Sequence, residues 1–122
     1  MSRPVPTPTP TEIHLHRAEK RLDVAFDDGS RFSLPAEYLR VESPSAETKG
    51  HGNERLPPPV RKRRVGVTGA EPVGRYALRI RFDDGHDTGL YTWPYLAELA
   101  AQKTDRMSAY LKRLSELGLS RD

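Results

Sequence analysis

The tetrapeptide Phe-Asp-Asp-Gly occurs twice, at residues 26–29 and again fifty-six positions later at 82–85. Each copy closes an alternating apolar run: Leu22, Val24, Phe26 in the first, and Tyr76, Leu78, Ile80, Phe82 in the second. Successive strand side chains point to opposite faces, so each run reads as a half-buried strand and each Asp-Asp-Gly as a hairpin tip. Leu34 and Leu90 also match at this offset, and helix-like sequence follows each. The chain therefore reads as a pseudo-duplicated β-hairpin–helix unit, too few copies for a solenoid.

Turn length sets the register. A two-residue turn would pair Phe26 with Arg31 and put Phe32 and Leu34 on the wrong face. A three-residue loop, with Gly29 in the left-handed conformation, pairs Phe26 with Ser30, Val24 with Phe32 and Leu22 with Leu34. The same loop at Asp83-Asp84-Gly85 predicts Phe82 opposite His86, Ile80 opposite Thr88, Leu78 opposite Leu90, and Arg81 opposite Asp87.

Residues 1–10 carry Pro4, Pro6, Pro8 and Pro10. Proline removes backbone donors, so a disordered or extended leader is expected, followed by a single domain over 11–122. Ile13 and Leu15 alternate with His14 and His16, predicting a strand over 11–16. Pro35 opens a short helical turn. Apolar periodicity then lapses over about residues 40–64, a long loop containing Pro57-Pro58-Pro59. Residues 65–71 read as a further strand. After Thr92 the period changes to that of a helix: Leu96, Leu99 and Ala100 form one stripe after Trp93-Pro94. Thr104 or Asp105 is the expected cap of a second helix carrying Met107, Tyr110, Leu111, Leu114 and Leu117, and Gly118 its stop. The fold class is α+β: an antiparallel sheet built from two related hairpins, with two C-terminal helices packed on one face.

Composition narrows the function. The 122 residues suit one domain, with 35% hydrophobic and 30% charged residues giving a modest core and a charged exterior. No apolar run approaches bilayer length and no export signal opens the chain, so a cytoplasmic location off the membrane is expected. With no cysteine, disulfides, thiolate metal sites and thiol nucleophiles are excluded. The net charge of +3 is that of an ordinary soluble surface.

The aspartate pairs 27/28 and 83/84 serve the turns better than acid–base or cation chemistry. His14 and His16 lack a third ligand nearby in sequence. Arg61, Lys62, Arg63 and Arg64 form a basic patch without an aromatic platform, so a nucleic-acid partner is not expected. Candidate interaction residues are His51, between two glycines of the long loop, His86 at the hairpin mouth, and Tyr91 and Trp93. Trp93 has a plainer role as the anchor of its helix.

The segments Leu39-Arg40, Ser43-Pro44-Ser45-Ala46-Glu47, Gly50-His51-Gly52, Glu71-Pro72-Val73-Gly74-Arg75-Tyr76-Ala77 and residues 82–93 together resemble the gamma-butyrobetaine hydroxylase N-terminal-like family. The resemblance covers roughly 11–120. It implies a small stand-alone domain of poorly defined function, related to one found at the front of the hydroxylase and on some iron–sulfur cluster carrier ATPases. In the hydroxylases that domain holds a structural zinc through C-x-C-x-x-C and a histidine. The matching positions here are Ser43, Ser45, Thr48 and His86. Hydroxyls are poor zinc ligands, so no metal and no cofactor is expected, and the hydroxyls are expected to hydrogen-bond His86 instead. The catalytic oxygenase domain has no counterpart.

The expected function is that of a non-catalytic binding or adaptor module presenting residues 43–52 and the His86–Trp93 edge to an unidentified protein partner. The family's fusions point to iron–sulfur assembly or an oxygenase for that partner. The alternatives are a metal-binding protein or small metalloenzyme using His51 and His86, and a weak nucleic-acid binder through Arg61 to Arg64. An exposed edge strand would permit a homodimer without demanding one.

Overall fold

The computed structural model describes residues 8–44, 62–84 and 89–120. Its strands form two three-stranded antiparallel sheets. The first holds β1 (Pro10–His16), β2 (Arg21–Phe26) and β3 (Arg31–Pro35) and leads into the short helix α1 (Ala36–Val41). The second holds β4 (Val67–Val73), β5 (Ala77–Phe82) and β6 (Gly89–Thr92) and leads into α2 (Trp93–Ala101), followed by α3 (Lys103–Glu116). The architecture is α+β with two C-terminal helices, and the duplication runs deeper than two hairpins. Each repeat is a three-stranded meander followed by a helix, and β5 falls fifty-six positions after β2.

The first hairpin has the register expected from its apolar alternation: Leu22 faces Leu34 and Val24 faces Phe32. The Phe26 N–H donates to the Ser30 carbonyl (2.9 Å) and the Gly29 N–H to the Phe26 carbonyl (3.1 Å). Gly29 sits at φ +88°, where a side chain would be strained. The Asp28 carboxylate accepts from the Ser30 N–H at 2.9 Å and from its hydroxyl, closing the turn locally. Upstream, Thr9 already exchanges hydrogen bonds with Asp27.

The second hairpin departs from expectation by one residue. Leu78 pairs with Tyr91 rather than Leu90, and Ile80 with Gly89 rather than Thr88. His86, Asp87 and the rest of the expected loop pairing lie outside the described residues. The physical reason is Tyr91. Its ring is fully buried and its hydroxyl donates to the Leu39 carbonyl, so the larger aromatic takes the inward position and Leu90 is left half-buried. Arg81 pairs with Glu71 of β4 (2.7 Å).

Leu22, Val24, Phe26 and Leu34 from the first sheet join Val67, Leu78, Ile80, Phe82 and Tyr91 from the second in one core. Helix α1 adds Tyr38 and Leu39, and α2 adds Leu96, Leu99 and Ala100. Thr92 caps α2 by accepting from the Tyr95 N–H, with Pro94 in the first turn. The expected cap of α3 at Thr104 or Asp105 is not used. Only Gln102 separates the helices, so α3 starts at Lys103 with the Arg106 N–H already bonded to the Gln102 carbonyl (2.9 Å). Gly118, at φ +65°, ends α3 as expected. Its N–H bonds to Ser115 and that of Leu119 to Leu114.

Helix α3 meets the main core through Met107 and otherwise packs beside α1. Its Tyr110 and Leu114 cover Val41 at the end of α1 in a separate small cluster, which Met107 bridges to the main core. Leu111, Leu117 and Leu119 stay on the surface. No described helix is long and apolar enough to cross a membrane.

Candidate functional site

The chain leaves the described structure after Pro44 and returns at Lys62, and both ends of that gap meet the root of the β5–β6 connection. Arg40, on the last turn of α1, donates through Nε to Asp84 Oδ2 at 2.8 Å. Lys62 donates to the same oxygen. Arg40 and Lys62 are largely buried, so water screens the cluster less than it would an exposed pair. Among the described residues Arg40 Nη1 is buried with no hydrogen-bond partner. Asp84 thus does more than shape a turn. Its spacing in Asp-Asp-Gly concealed this, because both cations come from distant segments.

Behind this cluster lies Ser43, a position where the resemblance implied a hydroxyl in place of a zinc thiolate. It is fully buried and hydrogen-bonds the Tyr91 phenol. The phenol is pushed up well above its ordinary range by burial, with Ser43 partly offsetting. It therefore stays neutral and acts as a hydrogen-bonding strut. A side chain at Gly89 would approach Tyr91 Cε1 to 2.9 Å and Ser43 Oγ to 3.4 Å, so the strand must be bare where the ring crosses it. Ser45, Thr48, His51, Arg61 and His86 lie outside the described residues, and so does the expected hydrogen bonding of His86 by the hydroxyls.

The aromatic residues are put to structural use. The Trp93 indole N–H donates to the Arg75 carbonyl (2.8 Å), and the Trp93 backbone N–H to that of Tyr76 (3.0 Å), anchoring α2 to the β4–β5 turn. Tyr91 is interior. The Tyr38 hydroxyl reaches the Leu99 carbonyl and that of Tyr95 the Glu42 carbonyl, each at 2.6 Å. Burial also raises Tyr38 well above the ordinary phenol value. Arg106 of α3 joins Glu42 (2.6 Å), Glu98 (2.7 Å) and Gln102 (2.9 Å), tying the three helices together.

Among the described residues no three His, Asp or Glu side chains group as a metal site. His14 stands 3.9 Å from Glu12, and His16 3.0 Å from Asp23, on the outer face of the first sheet. Of the basic run, Lys62 is held by Asp84, while Arg63 and Arg64 are exposed.

Fold and site define a small α+β domain whose described polar groups are largely engaged in holding segments together. The family model for gamma-butyrobetaine hydroxylase-like, N-terminal, matches residues 13–97, and the chain belongs to that family. Two structures solved in solution by NMR are similar to it. One is 49% identical with a TM-score of 0.82, covering 96% of this chain and 92% of that one. The other is 44% identical with a TM-score of 0.80, covering 99% and 90%. A crystal structure of a DUF971-family protein of unknown function from Acidithiobacillus ferrooxidans is 36% identical with a TM-score of 0.64, covering 76% of this chain and 93% of its own. No curated protein matches.

Proposed function

We propose that the chain is a non-catalytic, cytoplasmic protein-binding domain, with its contact surface at the end marked by Arg40, Lys62 and Asp84. The supporting observation is the convergence of Arg40 and Lys62 on Asp84. It ties the end of α1 and the residue where the described chain resumes, Lys62, to the root of the β5–β6 connection. Rigid roots lower the entropy lost when flanking segments engage a partner. The phenols of Tyr38, Tyr91 and Tyr95 are committed to backbone carbonyls, which suits a scaffold more than an acid–base centre. On the family's fusions, the partner belongs to iron–sulfur assembly or is an oxygenase.

The test is affinity capture from the native cytoplasm with His86→Ala beside the wild type, read by mass spectrometry and thermal melting. Loss of a captured partner with unchanged melting supports the reading. Lower melting with unchanged capture makes His86 structural and removes it from the surface. Stoichiometric metal in untagged protein, with a melting rise on adding zinc or iron, would instead favour the metal-binding alternative through His51 and His86.

A further inference from the structure

We infer that the cleft between the β1–β2 turn and the start of β4 docks an acidic peptide segment of a protein partner. This rests on the protein-binding reading above and assigns it a second surface. The cleft holds about 280 Å³ and is lined by Arg17, Lys20, Gly66, Val67, Thr68 and Asp83. Its two cations, Arg17 and Lys20, both stand on the β1–β2 turn and reach across to the segment that leads into β4. Lys20 Nζ donates to the Arg64 carbonyl at 2.7 Å, and Arg17 Nη2 to the Thr68 carbonyl at 3.1 Å. These bonds bring Arg17 and Lys20 against the segment that carries the exposed Arg63 and Arg64, so a short basic run becomes a broader basic face.

Two features set the geometry of the cleft wall. Lys20 holds φ +56°, a conformation that costs a side-chain-bearing residue about 1 kcal/mol and is usually left to glycine or asparagine. Gly66 is bare where the Asp83 carboxylate and the Lys20 stem lie over it; a Cβ there would meet Asp83 Oδ2 at 2.9 Å. Asp83 also selects between polyanions. A nucleic-acid backbone brings only acceptors to the groove and offers this carboxylate no donor. An extended acidic peptide brings carboxylates for Arg17 and Lys20 and amide N–H groups for Asp83.

The experiment titrates the isotope-labelled full chain with a short capped peptide of alternating Glu and Gly, and in parallel with single-stranded and duplex DNA of equal charge. Expected are amide shifts at Lys20, Gly66, Val67, Thr68 and Asp83, binding that weakens with salt, and tighter binding of peptide than of DNA. The double variant Arg17→Ala, Arg64→Ala should melt within a few degrees of wild type, having lost one exposed hydrogen bond, and bind the peptide roughly tenfold more weakly. The proposal is overturned by shifts confined to other surfaces, by no binding at low salt, by unchanged affinity in the double variant, or by tighter binding of DNA. Peptide failure alongside His86-dependent partner capture removes this cleft and leaves the proposed function standing; peptide binding with no captured partner does the reverse.

Discussion

The Tyr91 hydroxyl donates to the carbonyl of Leu39, joining β6 to α1 across fifty-two residues of sequence. This bond, with Ser43 on the same phenol, connects the interior to the residues just after α1. Tyr91→Phe keeps the ring and leaves a buried carbonyl without its donor. The expected loss is about 1–3 kcal/mol, measured by urea denaturation. A loss near zero would mean that the carbonyl finds another partner.

Gly29 and Gly89 are needed for different reasons, and alanine separates them. At Gly29 a Cβ meets nothing within 4 Å, so Gly29→Ala carries only the positive-φ penalty, about 1 kcal/mol. At Gly89 the Cβ would collide with the buried Tyr91 ring, so Gly89→Ala should cost more, about 2–3 kcal/mol. Equal midpoint shifts for the two variants in denaturant would contradict this.

Asp84 holds two cations. Asp84→Ala leaves the Arg40 guanidinium, only 13% accessible, without its described carboxylate. The expected cost is about 1–3 kcal/mol. Protease cleavage between Pro44 and Lys62 should accelerate in the variant, and cleavage at the wild-type rate would show that the clamp does not steady these roots.

Arg106 is a fork with three recipients, Glu42, Glu98 and Gln102. Lysine keeps the charge and cannot reach all three, so Arg106→Lys should lose about 1–2 kcal/mol. Thermal melting reads this directly, and a neutral result would locate the stability of α3 in Tyr110 and Leu114 alone.

Asp23 sets a low-pH limit. Its partial burial raises the carboxyl, but the Ser33 hydroxyl, Arg21 and His16 outweigh that and hold it below 3.8. A carboxyl lowered in the folded state stabilises fully above the unfolded value and loses that contribution as pH falls through the folded one. Asp23→Asn should therefore narrow its stability deficit against wild type as pH drops below about 4, followed by melting across pH. The side chain is partly exposed, so the effect is modest.

Local chemistry alone determined much of this protein. Alternation of Leu22, Val24 and Phe26 against Phe32 and Leu34 admits one register with a glycine-closed loop, and that register forms. Thr92 with Pro94 marks the start of α2 and Gly118 the end of α3, because caps depend on neighbouring residues. The second hairpin was not legible in the same way. Leu90 and Tyr91 are adjacent and both apolar, so alternation serves either register. The acceptor that selects Tyr91 is a carbonyl on α1. The docking of α3 on Val41 and the meeting of Arg40 and Lys62 at Asp84 depend on contacts between segments far apart in sequence. Periodicity reports which side of an element is apolar; only the folded chain decides what that side meets.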